Sequence, residues 1–162
     1  MSSNAVDGSG AARDDRRYPE HPILAVGGVV IHDSRVLLIR RGRPPLEGRW
    51  SIPGGILEMG ETIAEGVARE LKEETAIRIR VMKLLEIYER VSRDEANRAQ
   101  YHFVILDYLC EFVEGAATAG GDVREILWAE KEQLASLALT AAATQVIEKA
   151  FAAVRRRAAR RR

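Results

Sequence analysis

The chain has 162 residues, 25 lysines and arginines against 24 aspartates and glutamates, a net charge of +1 and 46% hydrophobic residues. That length suits one domain able to bury a sizeable core. No run of 18 apolar residues occurs, which excludes a transmembrane helix, and the single cysteine, Cys110, excludes an intrachain disulfide.

The start, MSSNAVDGSGAARDDRRYPEHP, has no apolar core of a secretory signal, so the cytoplasm is the expected compartment. Residues 1–20 are small, polar and charged and are expected to form a disordered lead. ILAVGGVVIH (23–32) and RVLLIR (35–40) read as strands around an Asp33-Ser34 turn. RRGRPPLEGRW (40–50) is a basic loop punctuated by Pro44 and Pro45. SIPGGILEM (51–59) is a turn and short strand leading into a helix. IRIRVMKLLEIYERV (77–91) reads as extended with a break near its middle, and SRDEANRAQ (92–100) as a polar loop. YHFVILDYLCEF (101–112) is the clearest strand, with Cys110 as a buried structural thiol, and VREILWAE (123–130) is a later one. A short helix near 130–137 precedes a longer one from about Thr140, with Val146, Ile147, Ala150, Phe151 and Val154 as its apolar stripe. Mixed strands and helices in this order predict an α/β sandwich around a mixed sheet, with the domain body at 21–154.

The segment GILEMGETIAEGVARELKEETAI (55–77) carries the chemistry. Thr62 and Glu65 form a capping-box pattern, and Ile63, Val67 and Leu71 give the helix a buried stripe. Glu70, Glu73 and Glu74 share one face at the rim of that stripe. Like charges at this spacing destabilise a helix by roughly 0.2–0.5 kcal/mol per pair, so the cluster invites a counter-charge. Hard oxygen ligands suit Mg²⁺ or Mn²⁺. Charge pattern alone more often marks a solvated helix face. Gly66, one turn before Glu70, is expected to leave room for a phosphate beside the carboxylates.

The whole segment resembles the Nudix box, G-x5-E-x7-R-E-U-x-E-E-x-G-U. Gly55, Glu61, Arg69, Glu70, Leu71, Glu73, Glu74 and Ile77 match it, and Ala76 stands where the family has glycine. The resemblance implies an α/β/α sandwich around a mixed β-sheet. It also implies metal-dependent hydrolysis of a nucleoside diphosphate linked to another moiety. By the same resemblance Glu70 and Glu74 are the principal metal ligands, with Glu73 as a further ligand or a base on water. The carbonyl of Gly54 completes the coordination, Arg69 orients the glutamates and Glu61 supports the site. Asp122 and Glu125 are candidate bases outside the box. The family often dimerises, so a homodimer is an open expectation.

Substrate choice rests on weaker signals. Arg40, Arg41, Arg43 and Arg49 flank the box and suit phosphate binding, as surface arginines also do solvation. Trp50, Tyr88, Tyr101, Phe103 and Trp128 can stack on a base but read first as core. The stretch 88–112 is similar to bacterial ADP-ribose pyrophosphatases, although Arg93 replaces a proline that one such group carries. ADP-ribose or another nucleotide sugar is therefore the expected substrate. A nucleoside-triphosphate sanitising enzyme is the runner-up, and a non-catalytic Nudix module binding nucleotide or RNA is the alternative of another class. The last eight residues, RRRAARRR (155–162), hold six arginines; without them 19 basic side chains face 24 acidic ones, a body of −5. This tail reads as a solvated helix end, with nucleic-acid contact as the alternative.

Overall fold

A computed structural model of the chain describes residues 16–44 and 46–160. The strands are β1 (Ile23–His32), β2 (Arg35–Arg41), β3 (Trp50–Ser51), β4 (Gly54–Ile56), β5 (Arg78–Arg93), β6 (Ala99–Glu114) and β7 (Val123–Glu130). The helices are α1 (Ile63–Thr75) and α2 (Ala141–Ala159), with a 3-10 turn at Lys131–Ser136. Most of the expected disordered lead, residues 1–15, lies outside the described residues. No helix among the described residues is long and apolar enough to cross a membrane.

β1 is the central strand because its residues Ala25–Val30 are apolar or glycine and can be buried on both faces. It pairs with β6 in parallel from Ile23↔Phe103 to Val30↔Cys110, and with β4 antiparallel at Ala25↔Ile56, Val26↔Gly55 and Gly27↔Gly54. Its end turns into β2 through Asp33 and Ser34, both left-handed (φ 48° and 62°), as a tight two-residue hairpin requires. β2 carries β3 and β7, and β6 carries β5 as its antiparallel neighbour.

Alternate residues of β1 and β2 enter different cores. Val26, Val30 and Leu37 pack with Val67 and Leu71 of α1. Val29, Val36 and Leu38 pack with Ala143, Val146, Ile147 and Ala150 of α2. Period-2 alternation thus places one helix on each face, and the α/β/α sandwich follows from the two apolar stripes.

Two local expectations change. The segment 77–91 does not break: it runs as one strand to Arg93 and absorbs its irregularity as bulges near Val81–Lys83 and Leu84–Glu86. β6 begins at Ala99, inside the expected polar loop, because the long hairpin partner supplies ladder bonds there. α2 continues through Ala159, so residues 155–159 of the arginine tail are a helix end, in keeping with the sequence reading.

Candidate active site

The site is built from the loop, helix and loop around α1. Thr62 caps the helix: its backbone N–H donates to Glu65 Oε2 at 2.8 Å, and the Glu65 N–H donates back to Thr62 Oγ1 at 3.3 Å. The helix ends at Ala76 in the left-handed region (φ 59°), whose N–H donates to the Lys72 carbonyl at 2.9 Å. An alanine therefore adopts the turn that glycine favours, and the helix stops at the same place.

Arg69 is the hub of the acidic side chains. Its Nε donates to Glu61 Oε1 at 2.5 Å and its Nη2 to Glu61 Oε2 at 3.0 Å, a two-pronged pair. Its Nη1 donates to Glu70 at 2.8 Å and Glu73 at 3.3 Å, while Nη2 also reaches the Ile56 carbonyl at 3.0 Å. These bonds hold the Arg69 guanidinium well above its ordinary pKa, through Glu61 first. Glu61 is shifted down by the same hydrogen bonds.

Glu70 and Glu74 behave differently. Burial pushes Glu70 up, against the opposing pull of Arg69. Glu74, 8% exposed, is pushed up to about 8, chiefly by burial. Its Oε2 accepts a bond from the Gly54 N–H at 2.8 Å. The Glu70 carboxylate fills the space where a side chain on Gly55 would stand, so that glycine serves close packing.

These groups open onto a cavity of about 760 Å³. Of the sequence-predicted residues, Gly54, Glu70, Glu74, Arg41, Arg49 and Asp122 line it together. Glu61, Arg69 and Glu73 lie behind that wall as the hydrogen-bonded layer, and Glu73 is more than half exposed. Arg43 also stays outside, exposed, with its Nε 3.6 Å from Asp122. Arg41 is drawn inward: burial lowers its pKa, and its Nε is buried without a hydrogen-bond partner. Arg49 Nη2 donates to the Leu139 carbonyl at 2.6 Å. Asp122 arrives on the β6–β7 loop, fastened to the end of α1 by Thr118 N–H to Thr75 O and Gly120 N–H to Glu74 O, both 3.0 Å.

Other expectations are corrected. Gly66 makes no room for a phosphate: a side chain there would strike Leu57, so the glycine serves packing of the loop on α1. Glu125 is paired with Arg40 at 2.7 Å and does not line the cavity. Trp50 and Trp128 pack against the two cores, whereas Tyr88 and Phe103 line the cavity. Sequence reasoning missed Arg16, Arg90 and Asp107 as cavity residues. An acid within the alternating row Phe103, Ile105, Asp107 is a signal that could have found the last.

The fold and this loop–helix–loop agree with known proteins. The profile of the NUDIX domain matches residues 21–151. The chain is 36% identical over 128 residues to an ADP-ribose pyrophosphatase of Methanocaldococcus jannaschii, covering 78% of this chain and 73% of that one. It is 34% identical over 116 residues to a MutT-like protein of Streptomyces ambofaciens, covering 72% and 68%. The NUDIX domain of Shewanella oneidensis NrtR, solved in complex with ADP ribose, superposes with a TM-score of 0.68 at 26% identity, over 83% of this chain and 90% of that one. The chain belongs to the Nudix family, as a Nudix pyrophosphohydrolase.

Proposed function

We propose that the protein hydrolyses the diphosphate bond of a nucleoside diphosphate sugar, ADP-ribose first, with Mg²⁺ or Mn²⁺. The observation that carries this reading is a pair of carboxylates, Glu74 buried and Glu70 partly buried, set beside Gly54 and Gly55 on one wall of a large cavity. Two carboxylates whose charge is opposed by burial suit a hard divalent ion. Among the described residues no group of three acidic, histidine or cysteine side chains stands ready to hold an ion. Arg69 engages Glu61, Glu70 and Glu73 at once. Glu70, Glu74 and the Gly54 carbonyl are the donors that fit, with substrate oxygens completing the shell. The relative from Methanocaldococcus and the ADP-ribose complex of the Shewanella domain support the substrate class.

A bound ion supplies charge neutralisation of the diphosphate and acidifies water. The chain supplies the rest. Arg41 offers its unpartnered Nε to the substrate's anionic oxygens, and Arg69 keeps Glu61 and Glu70 in one orientation. Water attacks one phosphorus, the bridging P–O bond breaks, and one proton leaves the water. Asp122, which lines the cavity from the β6–β7 loop, is the base this reading favours; Glu73, the other candidate as ligand or base, stands outside the lining and is paired with Arg69.

Incubation with ADP-ribose, other nucleotide sugars, NADH and normal and oxidised dNTPs tests the reading, each with Mg²⁺, with Mn²⁺ and with EDTA. AMP release from ADP-ribose that stops in EDTA is expected. Preferential hydrolysis of the triphosphates would replace the sugar-nucleotide reading with the sanitising one.

A further inference from the structure

Asp107 has no task in the chemistry above. It lies on β6 in the alternating row Phe103, Ile105, Asp107, whose neighbours on β1 are Ile23, Ala25 and Gly27 and on β5 are Arg90, Tyr88 and Glu86. Much of this row floors the cavity on the α2 side, below the first turn of that helix at Thr140–Ala143. α2 is held there by Trp50, whose N–H donates to the Ala138 carbonyl and whose own carbonyl accepts from the Thr140 N–H, both at 3.0 Å.

The Asp107 side chain is 4% exposed, yet among the described residues no hydrogen bond or ion pair reaches its carboxyl. The nearby charged group is Glu86, of like sign, which accepts from Gln145 at 3.1 Å and is paired with Lys149. Gly27 makes room for it: a side chain there would overlap Asp107 Oδ1 and press on Ile52. A carboxyl shielded from bulk water and without a protein partner is costly to keep charged, and the space its oxygens can meet is the cavity itself. Burial pushes it up to about 7, so near neutrality a large share of it is an uncharged carboxylic acid, one donor beside one acceptor.

Its position is also informative. Gly27 is in register with Gly54 on one side and with Asp107 on the other. Asp107 therefore stands two strand spacings, about 10 Å, from the Gly54 backbone. That span matches the reach from a nucleotide's phosphates to the edge of its base. Between the two lies Gly27, and the adjoining row Ala25, Ile105 and Tyr88 gives the cavity an apolar stretch beside them.

We propose that Asp107 reads the nucleobase: its carboxyl bonds a base edge that presents a donor and an acceptor side by side. Under the ADP-ribose reading, on which the choice of base rests, that edge is the 6-amino group of adenine and its neighbouring ring nitrogen. The carboxyl then gains in the complex the partner it lacks in the free protein.

The test compares binding of AMP and of ribose 5-phosphate, both with Mg²⁺, to wild type, Asp107→Asn and Asp107→Leu. Asparagine keeps a donor and an acceptor; leucine keeps the shape and neither. Asp107→Leu is expected to weaken AMP about 10- to 100-fold and leave ribose 5-phosphate unchanged, with Asp107→Asn within a few-fold of wild type. In turnover of ADP-ribose the loss falls on KM. Both variants remove a carboxyl that has no partner in the protein and are expected to melt at or above the wild-type temperature, which separates lost recognition from lost folding. Unchanged AMP affinity in Asp107→Leu overturns the proposal, as does a wild type that holds AMP no tighter than ribose 5-phosphate. If AMP binding follows Asp107 but ADP-ribose is not hydrolysed, the substrate reading fails and this one stands. If ADP-ribose is hydrolysed and AMP binding ignores Asp107, the reverse holds.

Discussion

Arg69 concentrates the organisation of the site in one side chain, because a planar fork can serve several carboxylates at fixed angles. Lysine has no such fork, so Arg69→Lys is expected to retain charge but lose orientation. Arg69→Ala is expected to weaken Mg²⁺ binding about 10- to 100-fold, measured by calorimetry. Asp107 gives a separate prediction in pH. Its ordinary value is 3.8 and its folded value about 7. Between them the folded chain keeps a proton that the unfolded chain has released, so this group's contribution to stability falls as pH rises through that window. The melting temperature of Asp107→Asn is therefore expected to match wild type near pH 4 and to exceed it increasingly up to pH 8. A constant difference across that range would mean the carboxyl is not buried as described. The box carboxylates were legible in the sequence because their spacing is fixed by helix geometry. Asp107 and Arg90 were not, because their role depends on which strands lie beside β6.

At the scale of elements, α1 is specified almost wholly by local sequence: a reciprocal cap, an apolar stripe and a defined stop. Its one departure is energetic. Ala76 occupies the left-handed region, where a β-carbon costs roughly 1–2 kcal/mol. Ala76→Gly is expected to stabilise the protein by about 1 kcal/mol, or about 2–4 °C in Tm, with unchanged turnover. A lower Tm would show that the αL geometry is not borne by this residue. Gly66 illustrates why a glycine's purpose was not legible: its neighbour Leu57 comes from the preceding loop. The long β5–β6 hairpin was underestimated for the same reason. Its polar ends, Ser92–Arg93 and Ala99–Gln100, are extended because each completes the other's ladder, which single-strand periodicity does not report.

Across the whole molecule, two helices on opposite faces of one sheet leave a cavity that draws on β1, β2, β4, β5, β6, both helices and the β6–β7 loop. The sandwich itself was readable from alternating strands and two amphipathic helices. Arg41, Glu74 and Asp122 were picked out one by one from the sequence; what brings Asp122 to the other two is the loop pinned to the end of α1. Residues 155–159 continue α2, and none of residues 155–160 lines that space; Arg157 comes only to 4.0 Å of Glu111, both substantially exposed. Such a contact contributes little. Deleting residues 155–162 is expected to leave nucleotide turnover unchanged, and a large fall in kcat/KM would tie the tail to the site. The most direct measurement is AMP release from ADP-ribose by wild type and Glu74→Gln, through a Mg²⁺ titration that begins in EDTA. Wild type is predicted to be silent in EDTA and to rise to a plateau with Mg²⁺, while folded Glu74→Gln stays near background throughout. Release that persists in EDTA, or a Glu74→Gln protein as active as wild type, would contradict a metal-dependent site built on Glu74.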